Sequence, residues 1–269
     1  MIDELLNELM FADDQAMAND DKAKLQEHTT KLNESCEKYD MKISISKTEV
    51  MTVSRNPEAL KIDINGAELK QVNEFKYLGS IFTEDGRLER EIETRCQKAN
   101  AVSYQLAPLL RHDSIPMNIK AKLINSIFLP TLTYQCQTWT LTKSLERKLT
   151  TCEMKCLRRA ANKTRRDKIR NDVIRETVGA TPVLSFVEQQ RIKWFGHLNR
   201  MPTNQPALRA YTSKHSGWRA RGRPRRRWCD GVADALRPHD LTLQQATHLA
   251  ADRQLYLPAT PSGISGSKK

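Results

Sequence analysis

A chain of 269 residues with 39% hydrophobic and 28% charged residues can bury one large core or two ordinary ones, and it contains no run of about 18 apolar residues that would span a bilayer. The first ten residues, MIDELLNELM, are acidic and lack the basic flank and apolar stretch of a signal peptide, so an intracellular location, nuclear or cytoplasmic, is expected. The net charge of +12 is regional: residues 143–228 hold 23 Lys and Arg against 6 Asp and Glu, a net of +17 that leaves −5 for the rest, and a region this basic attracts phosphate backbones through counterion release.

In chain order, residues 4–11 read as a short apolar strand that ends at Asp13 and Asp14 before a polar turn. Asp20 and Asp21 then cap a helix with Leu25, Leu32, Cys36 and Tyr39 on its buried face. Strand-rich stretches follow at residues 42–53, 60–64 and 74–82. Between the second stretch and AELKQV, Asn65-Gly66 signals a hairpin, because both central positions of a type I′ turn need positive φ. The turn Glu84-Asp85-Gly86 marks a change of pattern and a domain boundary near Gly86.

Beyond it Leu88, Ile92, Cys96, Ala99, Val102, Leu106 and Leu109 form a helical stripe. Ile115, Ile119, Leu123 and Ile127 mark a second helix, expected to stop before Pro130. Further helices are expected over 132–139, 144–161, 172–178 and 184–201. From Thr203 onward Pro, Gly and Arg dominate, with one more helical stretch near 241–254 and a disordered tail. The fold class expected is α+β, with short strands and one helix first and a mostly helical remainder.

The six cysteines, Cys36, Cys96, Cys136, Cys152, Cys156 and Cys229, show no framework spacing, as expected of reduced thiols. Cys152 and Cys156, one helical turn apart, suggest a zinc site completed by His197 or His215. A second close-spaced ligand pair is missing, and packed core thiols are the better reading.

Asp13 and Asp14 raise a chemical question. A strand ending in two carboxylates presents hard oxygen donors of the kind Mg²⁺ takes, and phosphoryl transfer uses such ions to stabilise attacking and leaving oxygens. The same dipeptide also serves as a solvated turn or a cap. FADD at residues 11–14, a helix of about twenty residues, KISISKTEVM, the ING hairpin, FKYLGSIFTEDG and LPTLTYQCQTW come in an order that resembles the reverse transcriptases of non-LTR retrotransposons. The later RIKWFGHLNRM and GRPRRRWCDGV resemble the C-terminal region of the same elements, particularly the RTE lineage.

That resemblance implies an RNA-directed DNA polymerase with RNA template and DNA primer as partners and Mg²⁺ as cofactor. Residues 1–86 would be a partial palm, 87–161 a helical thumb, 162–202 a helical basic region, and 203–269 an Arg-rich linker with a short helix and tail. Asp13 would be the main metal ligand with Asp14 in support, and both lie on the palm's catalytic hairpin. Lys47 would protonate departing pyrophosphate. Tyr77, Leu78 and Gly79 would form the primer grip. The chain has Asp40 and Ser44 where the family commonly carries Gly and Asn. It also begins too close to Asp13 for the family's upstream metal-binding Asp and fingers. The expectation is therefore a truncated enzyme, inactive alone, that needs an upstream polymerase half.

In the basic half, Arg219, Arg221, Arg223, Arg225, Arg226 and Arg227 read as a nucleic-acid contact, an import signal or a solvated linker. In RIKWFGHLNR, Trp194, Phe195 and His197 are candidates to stack on bases beside Arg191 and Lys193, whereas the helical stripe Ile192, Phe195, Leu198 and Met201 favours packing for Phe195. The principal alternative is a non-catalytic nucleic-acid-binding module built from the thumb and basic region. A transposon-derived relic without a stable function is the third reading.

Overall fold

The computed structural model describes residues 8–54, 58–213, 222, 224–252 and 256. The chain is α+β and divides into two compact units, Met1–Arg87 with Thr203–Arg221 and Leu88–Pro202 with Gly222–Lys269. Among the described residues no helix is long and apolar enough to cross a membrane.

In the first unit β1 (Glu8–Phe11) and β2 (Asp14–Met17) pair antiparallel, with Phe11 opposite Asp14. Helix α1 (Lys22–Lys38) starts where the Asp21 carboxylate accepts from the Ala23 N–H at 2.8 Å, as a short acceptor side chain does at an N-cap. The buried side chains of α1 are Thr29 and Asn33, and Tyr39, expected on the packed face, is 77% exposed. Tyr39 is the C-cap, where the chain has left helical geometry and the periodicity no longer places side chains.

Residues 42–53 yield only the two-residue strand β3 (Glu49–Val50). Upstream of it the Ser44 carbonyl accepts from the Lys47 and Thr48 N–H groups and the Thr48 hydroxyl, a local bonding pattern by which Ser and Thr compete with strand pairing. Strands β4 (Asp63–Ile64) and β5 (Ala67–Glu68) form the Asn65-Gly66 hairpin, with φ of 52° and 79° at the turn. Strand β6 (Lys70–Gln71) pairs parallel with β3, and β7 (Glu74–Tyr77) pairs antiparallel with β8 (Ser80–Thr83). Val50, Ile62, Ile64 and Leu69 make a small core under Leu25 of α1. The Gln26 amide holds the helix to β4, donating to the Asp63 carbonyl at 2.9 Å and accepting from its N–H at 3.0 Å.

The second unit has the larger core. Helix α2 (Glu89–Gln105) buries Ile92 and Ala99, and a new helix, α3 (Ala107–Arg111), begins with Pro108 in its first turn. That restart shifts the register, so Leu110 is buried and Leu109, expected inside, is 45% exposed. Pro130 does not stop the next helix either. Helix α4 (Met117–Leu123) runs through a π-helical turn, Ile124–Phe128, into α5 (Leu129–Leu132), where Pro130 occupies the first turn. The wider π-turn just before it, in which the Leu129 N–H bonds the Ile124 carbonyl five residues back, accommodates the ring that an α-turn would bring against the carbonyl four residues back. The buried ridge is Lys120, Ile124, Phe128 and Leu132, one residue away from the expected Ile119 and Ile127, which are each 41% exposed. A lysine at its head hid this ridge from the hydrophobic pattern; Lys120 Nζ donates to the Ala160 carbonyl at 3.4 Å.

Residues 132–139 do not continue as a helix. Gln135 adopts φ 57°, a single 3₁₀ turn spans Cys136–Thr138, and Trp139 is 2% exposed. Helix α6 (Lys143–Ala160), capped by the Thr142 hydroxyl, buries Leu145, Leu149, Cys152, Cys156 and Leu157 at helical spacing. Truncating one such leucine costs about 2–5 kcal/mol. Helix α7 (Asn171–Val178) ends at Gly179, whose φ of 71° lets the chain reverse. Helix α8 (Val183–Asn199) follows Pro182.

The short helix α9 (Pro206–Thr212) belongs to the first unit. In the second, α10 (Trp228–Leu236) and α11 (Leu243–Ala251) pack on α8. Helix α10 lies in the stretch expected to be an Arg-rich linker; Val232, Ala235 and Leu236 bury its apolar face, a three-residue signal too short to stand out beside the arginines. The expected tail, residues 257–269, lies outside the described residues.

Candidate functional site

The β1–β2 hairpin places the acidic pair at a tight bend. Only Ala12 and Asp13 link the strands, and Ala12 has φ 52°, a left-handed conformation that costs a non-glycine residue about 1–2 kcal/mol. Asp13 and Asp14 are exposed, so their carboxylates carry no desolvation penalty. Among the described residues no group of three or more His, Cys, Asp and Glu side chains is arranged to hold a metal ion.

Tyr77, Leu78 and Gly79 occupy the β7–β8 bend, where Leu78 and Gly79 take φ of 46° and 86°. The β7–β8 bend touches β1: the Tyr77 hydroxyl reaches the Leu9 carbonyl at 3.5 Å, the long limit of a hydrogen bond. Lys47 is exposed in the turn that follows Ser44. The departure at Asp40 has a structural account. Asp40 has φ 54° and closes α1, with its N–H bonded to the Glu37 carbonyl at 3.2 Å and the Met41 N–H to the Cys36 carbonyl at 2.9 Å. A glycine is the default there, and Asp is among the few side chains that tolerate the conformation.

The second unit carries the basic candidates on α8 and the segment before α10. Lys193 and His197 are exposed and Trp194 is half-buried, its ring centroid 5.4 Å from that of His197. Phe195 is fully buried, with Ile192 and Leu198. Arg191, weighed as a phosphate contact beside Trp194, is instead 5% exposed and donates to the Trp139 carbonyl at 3.0 Å and the Gly231 carbonyl at 3.2 Å. Burial, then the neighbouring Arg226 charge, lowers its affinity for the proton.

Arg221 and Arg223 lie outside the described residues, as do Arg219 and His215. Arg225 and Arg227 are exposed, and Arg227 is within 3.6 Å of the Asp230 carboxylate. Arg226 pairs with Asp234 and donates to the Leu141 carbonyl at 3.3 Å.

Trp228 is the residue sequence reasoning missed here. Its indole N–H donates to the Gln137 carbonyl at 2.7 Å and its ring lies 6.5 Å from Phe195, which fastens the end of the arginine run to α8. Tyr256 was missed too. It lies against Gly196, donates to the Ile192 carbonyl at 2.6 Å and is 2% exposed. Cys152 and Cys156 are packed thiols, 3% and 0% exposed. On the polar side of α6, Arg147, Lys148 and Lys155 line a cleft of about 450 Å³ with Cys96 and Cys152.

Comparison with known proteins bears on the first unit above all. Residues 2–82 match the family described as reverse transcriptase (RNA-dependent DNA polymerase). The chain is also 24% identical over 269 residues to an uncharacterised protein of Caenorhabditis elegans described as transposon-derived, with 94% of each chain covered. No solved structure matches. The hairpin bearing FADD falls within the segment similar to reverse transcriptases, and the likeness to a transposon-derived protein runs almost end to end.

Proposed function

We propose that this chain is the catalytic-hairpin and thumb portion of an RNA-directed DNA polymerase, that it binds template–primer nucleic acid, and that it does not extend a primer by itself. The observation that carries the reading is the exposed Asp13–Asp14 pair on a two-residue bend within the segment that matches the family.

In this reading Asp13 and Asp14 supply hard oxygen donors for Mg²⁺, which would neutralise charge on the transferred phosphate. Lys47 donates the proton that pyrophosphate needs on leaving. Tyr77, Leu78 and Gly79 hold the primer end, a role supported by the reach of Tyr77 to the strand that leads into the acidic pair. Two observations support dependence on a second polymerase segment. The pair has no third acidic partner among the described residues. In addition β1 is an exposed apolar strand, with Met10 67% and Phe11 63% exposed, in a hairpin of two strands. Such a hairpin is marginal alone and presents a free edge that a further strand would cover.

Primer extension on an RNA template with Mg²⁺ tests the catalytic part. No product is expected from the chain alone, and robust product abolished by Asp13→Asn would show the proposed dependence to be wrong. Titration of a labelled template–primer tests the binding part. Affinity should fall steeply with salt, and absence of binding at about 50 mM salt removes it.

The exposed Lys193 beside Trp194 on α8 favours a second reading, a nucleic-acid-binding module centred on the second unit that works without catalysis. Lys193→Ala with Trp194→Ala would weaken binding under that reading while Asp13→Asn would leave it unchanged.

A further inference from the structure

Helices α2 and α6 lie side by side and run in the same direction, pinned at matching heights. Lys148 pairs with Glu93 at 2.5 Å near one end, and Arg159 donates to the Ser103 carbonyl at 2.7 Å near the other. Between these pins Cys152 of α6 meets Cys96 of α2. The Cys152 thiol donates toward the Cys96 carbonyl at 3.6 Å and the Asn100 side-chain oxygen at 3.7 Å, and the Cys96 thiol reaches back toward the Lys148 carbonyl of α6 at 4.0 Å.

The pair is asymmetric in the way a reactive and a resolving thiol are. Cys96 is half-buried and opens with Cys152 onto the cleft lined by Arg147, Lys148 and Lys155. Its thiol is more acidic than usual, through the neighbouring Cys152 thiol first and then the nearby lysine charges. Cys152 is buried, and its contact with Cys96 and then its burial keep it protonated. The other thiols lack this arrangement. Cys136 is buried and pushed up to about 12 by that burial, and Cys156 is fully buried.

We propose that Cys96 and Cys152 are an oxidation site, a preset dithiol that a hydroperoxide converts to a disulfide joining α2 to α6. The Cys96 thiolate attacks the peroxide oxygen, the O–O bond breaks, and Cys96 becomes a sulfenic acid as one water or alcohol leaves. The Cys152 sulfur then attacks the Cys96 sulfur, its proton joins the departing hydroxide as water, and the S–S bond forms. Two thiols are oxidised by two electrons and one peroxide is reduced. The fold thus holds, in a chain whose cysteines show no disulfide framework, one pair that is reversible by a dithiol reductant.

The test uses the full chain, reduced and then treated with one equivalent of hydrogen peroxide. Peptide mapping without reductant should find Cys96 linked to Cys152 and a loss of two of the six free thiols, restored by dithiothreitol. The melting midpoint of the oxidised form should rise by roughly 5–15 °C, because the bond closes a long loop in the unfolded chain. Cys96→Ser should abolish the cross-link, and Cys36→Ser with Cys229→Ser, a folding-neutral control, should not. Over-oxidation of Cys96 without the linked peptide, scrambled pairing with Cys36 or Cys229, or a cross-link that lowers the midpoint would each overturn the proposal.

Discussion

Replacing Gly196 by alanine sets two effects of known size against each other. Gly196 lies in the interior of α8, where alanine is favoured over glycine by about 1 kcal/mol because it restricts the unfolded backbone. A Cβ at this position would fall 2.2 Å from Cε1, 2.6 Å from Cδ1 and 2.9 Å from Cζ of Tyr256. The atoms met are the body of a buried ring, so the ring must retreat by more than 1 Å to reach ordinary contact. Retreat breaks its hydrogen bond to the Ile192 carbonyl, about 1 kcal/mol, and gives up part of the 3–5 kcal/mol that deleting a buried aromatic side chain costs. The losses exceed the gain, and Gly196→Ala is expected to destabilise the second unit by about 1–3 kcal/mol. Urea unfolding followed by tryptophan fluorescence measures it, and Tyr256→Ala supplies the control. With the ring gone, the same glycine substitution should become stabilising by about 1 kcal/mol. Equal cost in both backgrounds, or a gain in the parent chain, would refute the reasoning.

Arg191→Met removes both donors to the buried Trp139 and Gly231 carbonyls and should cost about 2–4 kcal/mol in urea unfolding; Arg191→Lys should recover only part, since an ammonium lacks the planar fork. Gly66→Ala should destabilise the β4–β5 hairpin by about 1 kcal/mol through its φ of 79° alone, because no atom lies within 4 Å of the added methyl, and Gly66→Asn should cost less; amide exchange at Ala67 reads both. Stability of the second unit should fall as pH rises from about 9 to about 12. Burial raises the Cys136 pKa from 9.0 to about 12, so below 9 both states keep the proton, and above it the unfolded chain releases the proton while the folded one retains it. Cys136→Ala should flatten that slope; an unchanged slope, measured by urea unfolding across that range, would rule the thiol out as its source.

Features that depend on a few neighbouring residues were legible in the sequence. Asp21 caps α1 because its carboxylate reaches an N–H two residues on, and Asn65-Gly66 turns the chain because both residues accept positive φ. The stripe Leu145, Leu149, Cys152 and Cys156 repeats with the helix and marks its own buried face. The end of the apolar strand before Asp13 follows from the same locality, whereas Asp14–Met17, expected as a polar turn, pairs back on it as β2. The likeness to reverse transcriptases over residues 2–82 was legible for a different reason, the order of several short motifs along the chain.

Tertiary structure decided what a side chain's surroundings made of it. Lys120 interrupts the apolar pattern and Arg191 is expected as a phosphate contact, yet each is buried, with a carbonyl 40 or more residues away accepting its hydrogen bond. Pro130 read as a stop, yet a π-helical turn lets the helix pass. The contact of Cys152 with Cys96, and the fastening of the arginine run through Trp228 to Gln137, join residues 56 and 91 positions apart. Local propensity acts over one turn, whereas burial and polar pairing are settled by whichever distant groups the packed chain brings alongside.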